Sequence, residues 1–155
     1  ASANGISTGR DTTAASTTAF TADELFDVVG SVREPYLAGA KWYVHRDFVT
    51  RARKLKSGAG EYLWQPAMAA ANPATIAGYP VVRTEYAPKT FTAGLYVGLF
   101  GNMTEGYWWV RGAEMAVQRL IELFALTNQV GFKSYLEADG APVDENAFGR
   151  LILHT

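Results

Sequence analysis

Residues 20–46 read FTADELFDVVGSVREPYLAGAKWYVHR, and the reading of this stretch decides the fold. Thr21 and Glu24 stand three apart just ahead of an apolar run, the spacing of a capping box, while Phe20 and Leu25 hold the two positions of a hydrophobic staple. A helix therefore starts here. Leu25, Val28, Val29 and Val32 recur on one helical face, and Pro35 predicts a stop near Arg33. Lys41 to Val44 is a short aromatic and β-branched run, which reads as a buried strand.

Working outward, residues 1–19 are almost entirely Ala, Ser, Thr and Gly, too poor in apolar surface to offset their chain entropy, and are expected to form a flexible or extended lead-in. Downstream, Phe48, Ala52 and Leu55 make the apolar stripe of a second helix. Arg46, Arg51, Arg53, Lys54 and Lys56 crowd its other faces, and Ser57-Gly58-Ala59-Gly60 ends it. Gly and Pro then punctuate short apolar runs that read as strands: Tyr62 to Trp64, Thr75 to Ala77, Val81 to Thr84, Leu95 to Phe100 and Tyr107 to Val110. Asn72-Pro73, Gly78-Tyr79-Pro80 and Gly101-Asn102 supply the turns. Ala113 to Leu126 favours helix by local propensity. A strand from Val130 to Ala138, a turn at Asp139-Gly140, a short helix from Asp144 to Gly149 and a last strand from Leu151 to Leu153 complete the chain, with no internal repeat.

Composition bounds the function. A chain of 155 residues with 48% hydrophobic and 13% aromatic content can build a core without staples. Fourteen basic against fifteen acidic residues leave a net charge of −1, which is no footprint for tight, sequence-independent nucleic-acid binding. There is no Cys, hence no disulfide framework and no thiolate chemistry, which fits a reducing compartment. No apolar run reaches the ~18–20 residues that span a bilayer, and Ala1 opens neither a signal peptide nor an initiator Met, so we expect a piece whose true start is missing.

The candidate chemistry is thin. Gly5-Ile6-Ser7-Thr8-Gly9 matches the GxSxG nucleophile elbow, but that chemistry needs a strand before the serine and a helix after it, and low-complexity sequence follows. His45 and His154 stand far apart with no metal-binding spacing, so each reads as structural. Asp23-Glu24 and Asp144-Glu145 lie at helix starts, where negative charge favours the helix dipole. Arg46 to Lys56 could touch phosphates, though a solvated face or a subunit contact is the better reading. Asn102-Met103-Thr104 matters as a sequon only in a secreted protein, and Tyr107-Trp108-Trp109 reads as core or interface rather than a base-stacking platform. No catalytic, cofactor-binding or metal-binding residue is assigned.

Taken consecutively, the landmarks resemble the tailed-bacteriophage major capsid proteins that share the Hong Kong 97 fold. Phe20-Thr21-Ala22-Asp23-Glu24-Leu25 with Glu34-Pro35-Tyr36 is similar to the family's Thr-x-Asp-Asp-Leu helix and its Pro-Tyr ending. Ala40 to Arg46 resembles its Ala-x-Trp-Val-Met-Asn-Arg phrase, with His45 in place of Asn. Arg53-Lys54-Leu55-Lys56, Gly60 to Pro66 and Pro73 to Val82 follow in the family's order and spacing. Phe100-Gly101-Asn102 with Gly106-Tyr107, and Val143 to Leu151, continue the match, which covers essentially the whole chain.

The resemblance implies an α+β fold, a mixed β-sheet flanked by helices, lacking the family's N-terminal arm, extended hairpin and spine helix. Residues 20–110 would be the axial domain and 111–155 the returning part of the peripheral domain, with 1–19 as lead-in. Gly112 to Arg119 would then be a strand followed by an irregular loop, against its helix propensity. The resemblance further implies a structural, non-enzymatic shell protein that assembles with itself into hexamers and pentamers, needs no cofactor and touches packaged DNA only non-specifically. Scaffold, protease or portal would be partners, no membrane would be involved, and the location would be the virion capsid, built in the host bacterial cytoplasm. By analogy with the axial tip, the subunit-interface loop would run from Lys56 to Pro73, with Lys56, Gly58, Gly60, Glu61, Trp64 and Pro73 as candidates.

Two departures limit the carry-over. Glu137 stands where many members carry Arg. Some members cross-link through a Lys–Asn isopeptide assisted by Glu. Here Asn128 aligns near the Asn but Tyr135 near the Glu, and the Lys-bearing hairpin is absent, so no cross-linking is inferred. The alternatives are an encapsulin-like compartment, a small hydrolase using Ser7 with His45, and a DNA-binding module on the Arg46 to Lys56 helix.

Overall fold

The computed structural model describes residues 5–56, 75–112 and 115–155. A 3-10 turn, Thr8–Arg10, leads into β1 (Asp11–Thr13). The capping box then forms in both halves at α1 (Ala22–Ser31): the Thr21 hydroxyl accepts from the Glu24 amide at 3.4 Å, and the Glu24 carboxylate accepts from the Thr21 amide at 2.8 Å. The second Glu24 oxygen accepts from the Ala15 amide at 2.7 Å, so the capping carboxylate also anchors the chain ahead of the helix. Pro35 opens a separate turn, α2 (Glu34–Leu37), in whose first turn its missing N–H goes unneeded.

β2 (Lys41–Val44) runs into α3 (Arg46–Arg53). Next come β3 (Thr75–Ile76) and β4 (Tyr79–Arg83), a hairpin closed by two residues. Ala77 and Gly78 both take positive φ, 50° and 85°, as a hairpin turn of matching twist requires. β5 (Tyr96–Gly101), α4 (Met103–Gly106) and β6 (Tyr107–Arg111) follow. β7 (Ala116–Leu120), a 3-10 segment Glu122–Thr127, β8 (Gly131–Tyr135) and β9 (Ala138–Pro142) precede a short 3-10 turn, Glu145–Ala147, and β10 (Phe148–Ile152).

These elements divide into two compact units. The first comprises Ala1–Tyr107 with Pro142–Thr155, and the second Trp108–Ala141. The first is built on a mixed six-stranded sheet in the order β1-β10-β5-β2-β4-β3. β1 lies parallel to β10 and β2 parallel to β4, and the other neighbours are antiparallel. α1 and α3 cover one face. Trp42, Phe48 and Phe100 are fully buried there; Phe20 stacks on Phe48 at 4.4 Å and Trp42 packs on Phe100 at 4.9 Å. The Trp42 indole N–H, which burial would otherwise orphan, donates to the Ile76 carbonyl at 3.1 Å. α1 lies so close on β10 that a Cβ on Gly149 would meet Ser31 Oγ at 2.5 Å and the Val28 carbonyl at 2.9 Å.

The second unit contains β7 paired antiparallel with β8, while β6 pairs with β9 along the stems that join it to the first. The strand expected within Gly112 to Arg119 is present as β7, followed by the 3-10 segment, so pairing with β8 overrides local helix propensity.

Several expectations are corrected. Residues 5–19 are built into the fold, not a flexible leader: β1 needs only its backbone to pair with β10, and Arg10 donates to the Ser31 carbonyl at 2.8 Å and to Asn146. Asp139-Gly140 lies inside β9, and the last strand starts at Phe148, not Leu151. The helix expected over Asp144 to Gly149 is only the turn Glu145–Ala147, because the residues after it enter β10. Asn102 is not a turn residue but the cap of α4, its Oδ1 accepting from the Thr104 and Glu105 amides. The compact units also cut across a boundary at 110/111, since residues 142–155 return to the first sheet. Tyr62 to Trp64, Asn72-Pro73 and the Ser57 to Gly60 helix end lie outside the described residues.

Candidate functional site

Of the six interface candidates, Lys56 is exposed just beyond α3, while Gly58, Gly60, Glu61, Trp64 and Pro73 lie outside the described residues. The other sequence candidates have structural partners. His45 is buried and caps α3: its Nδ1 accepts from the Asp47 amide at 3.2 Å, which leaves Nε2 as the protonated nitrogen, 3.0 Å from a Glu85 carboxylate oxygen. Both ring nitrogens are thereby used. Ser7 precedes a single 3-10 turn that runs straight into β1, so no helix follows it as an elbow requires. In the basic helix, Arg51 donates to the Thr18 carbonyl at 2.8 Å and lies 3.9 Å over the Phe91 ring. Asn102 is buried and occupied as a cap.

A clasp holds the N-terminal strand. The Ser7 amide donates to Glu145 at 2.9 Å, and the Ser7 carbonyl accepts from Arg150 at 3.1 Å. Arg150 Nε donates to Asp11 at 2.6 Å across the parallel pair. The hydrogen bonds from Ser7 hold the Glu145 carboxyl below its ordinary range, and the hydrogen bond from the Tyr36 hydroxyl, at 2.6 Å, does the same for Asp144.

The sheet face away from α1 and α3 is where sequence reasoning missed a surface. Opposite Leu151 stands Gly98, but opposite Ile152 stands Tyr96, so Val97 is an extra residue in β5. This bulge lets Val97 join the core while Tyr96 shares the far face with Leu99 and Arg150. There, Tyr43, Val82, Tyr96 and Leu99 line a groove of about 660 Å³. The available signal was apolar residues at both parities of Lys41 to Val44 and Tyr96 to Gly101, which marks strands wanting cover on two faces.

The second unit, taken alone, exposes most of its described large apolar side chains. Phe132 is 71% exposed, Leu123 72% and Trp109 64%. Large exposed apolar surface of this kind marks contact sites. Among the described residues no group of three or more His, Asp or Glu could hold a metal ion, and no helix is long and apolar enough to cross a membrane.

Comparison with known proteins places these surfaces in context. A model described as the phage capsid family matches residues 2–151. No curated protein sequence matches. Among solved structures, the capsid of an empty GTA particle is similar over 94% of this chain and 50% of its own, with a TM-score of 0.74 and 26% identity. The capsid of a native GTA particle is similar at 25% identity and a TM-score of 0.73, with 94% of this chain and 54% of that one covered. An encapsulin complex of Synechococcus elongatus shares the fold at a TM-score of 0.58 and 16% identity, over 95% of this chain and 54% of its own. The chain thus spans about half the length of the capsid chains it matches.

Proposed function

The chain belongs to the phage capsid family, and from that premise we propose that it is the C-terminal portion of a major capsid protein whose copies tile an icosahedral shell around a double-stranded DNA genome. Its role is mechanical. The observation that carries the reading is the family match across nearly the whole chain, supported by likeness to GTA capsids above the level at which only a fold is shared. The exposed apolar strands of the second unit fit the same reading. Such a surface suits burial in repeated, individually modest contacts between identical subunits, which a closed symmetry multiplies.

Within this reading the first unit is the axial domain and the second belongs to the peripheral domain, with the Lys56 to Pro73 loop near the symmetry axes. Hexamers and pentamers of the protein would recruit scaffold, protease or portal in the host cytoplasm and contact DNA only non-specifically. The encapsulin reading shares the fold and is separated by gene context: portal and terminase genes alongside would decide for a phage head.

Electron microscopy of the full gene product, expressed with its head-assembly partners, is the test. Regular shells are expected. A preparation holding only small monodisperse monomers would overturn the proposal.

A further inference from the structure

Asp139-Gly140 is the one Asp-Gly step in the sequence, and a shell role makes no use of it. It stands inside β9, with Asp139 exposed and Gly140 half-buried. The Gly140 amide donates to Oδ1 of Asp139 at 2.8 Å, so the carboxyl is folded back on the amide that follows it. The carboxyl carbon, bonded to that oxygen, is then roughly 3–3.5 Å from the amide nitrogen, the separation of a near-attack pair. A small turn about the Asp139 Cα–Cβ bond brings the carbon to the face of the nitrogen. Glycine has no Cβ to obstruct ring closure and admits the backbone angles an imide ring imposes.

The other described aspartates are held differently. Asp11 is turned to Arg150 and precedes the β-branched Thr12. Asp144 accepts from the Asn146 amide, two residues on, and from the Tyr36 hydroxyl. Asp23, Asp27 and Asp47 lie in helices and precede Glu, Val and Phe, whose side chains crowd the amide.

We infer that Asp139 is a self-modifying site, at which the folded chain forms a succinimide and from it isoaspartate. The Gly140 nitrogen attacks Cγ of the protonated carboxyl. The N–Cγ bond forms, the N–H and Cγ–OH bonds break, and their atoms leave as water. A second water, admitted by the exposure of Asp139, reopens the ring. Addition at Cγ restores aspartate, whereas addition at the main-chain carbonyl carbon leaves isoaspartate, with the backbone running through Cβ and Cγ. One water leaves and one enters, so the change needs no oxidant, reductant or cofactor. The product carries an extra backbone carbon in β9, which puts the residues after it out of step with β6. The age of the folded subunit is thereby written into one strand of the second unit. The inference does not depend on shell formation, so the two readings stand or fall separately.

In water enriched in oxygen-18, each reopening of the ring leaves a heavy oxygen on residue 139. The full gene product is incubated at about pH 5, where carboxyls in general are partly protonated, and digested with trypsin. Trypsin releases Ser134 to Arg150 as one peptide. Fragmentation by electron transfer should place heavy oxygen and isoaspartate at Asp139, while Asp144 in the same peptide stays unlabelled. Raising the pH to about 8 should slow labelling severalfold, since only the protonated carboxyl loses water. Gly140→Ala should slow it about tenfold by obstructing closure. The folded protein should label Asp139 at least as fast as the same protein unfolded in urea. Labelling confined to the unfolded protein would overturn the inference, because the fold would then restrain the site. Equal labelling of Asp139 and Asp144, or undiminished labelling in Gly140→Ala, would overturn it too, since both mean simple carboxyl exchange. So would an Asp139 that takes up no heavy oxygen in either state.

Discussion

The two compact units draw on similar side chains and use them in opposite ways. In the first, Trp42, Phe48, Phe100 and Leu151 are sealed between helices and sheet. In the second, Trp109, Leu123 and Phe132 face outward. The difference is one of layers. A six-stranded sheet with helices laid on one face encloses a core, whereas the two-stranded pairs, taken by themselves and among the described residues, carry no second layer and are marginal. The first unit is thus stabilised within the chain. The second leaves its large apolar side chains open.

The largest effect that bears on this contrast is Trp42→Ala, which should destabilise by about 3–5 kcal/mol through cavity and lost contacts, read from urea denaturation of the chain. A loss below about 1 kcal/mol would mean that the first unit is not the source of stability. Gly149→Ala comes next. Its added methyl meets the Val28 carbonyl and Ser31, and the resulting overpacking under α1 should cost about 1–3 kcal/mol by the same measurement.

Smaller still is the effect of acid on the clasp. Glu145 and Asp144 are held below their ordinary pKa values by hydrogen bonds from Ser7 and Tyr36, so their contribution is complete above the unfolded-state values and is lost as pH falls through the depressed folded-state ones. Amide exchange at the β1–β10 pair should therefore quicken below about pH 4 before the α3 core is affected. Simultaneous exchange of both regions would argue against a local clasp.

The smallest effect on stability is expected in the second unit. Phe132→Ser should change the stability read from urea denaturation by no more than about 0.5 kcal/mol, because its ring is already largely in water. The same variant should lower shell yield in electron micrographs of the full gene product. Destabilisation of the isolated chain comparable to Trp42→Ala would erase the distinction between the units.

Much of the candidate surface was not legible in advance, and particular residues show why. The groove needs Tyr43, Val82 and Leu99 on three strands whose order is β5-β2-β4, and no local pattern encodes that neighbourhood. The bulge at Val97, which places Tyr96 on the open face, exists only in register with β10. Arg150 and Asp11 meet across most of the chain's length. The Lys56 to Pro73 loop, by contrast, was drawn from family resemblance, and apart from Lys56 its structure is not among the described residues.

What the sequence determined by itself was whatever is settled within a turn or two. The capping box at Thr21 and Glu24 depends on neighbours three or four residues away, so composition and spacing suffice, whereas the turn expected at Gly78-Tyr79-Pro80 falls at Ala77-Gly78 because Tyr79 and Pro80 pair with β3. Tertiary structure alone decided the fate of Asp11–Thr13, of Ala116–Leu120 and of the two sheet faces. A poor strand former becomes a strand when a distant partner offers its backbone, and local helix propensity yields to such pairing in its tertiary context. Whether an apolar side chain is sealed or left open depends on what the fold lays over it, which is why the same residue types build a core in one unit and an exposed surface in the other.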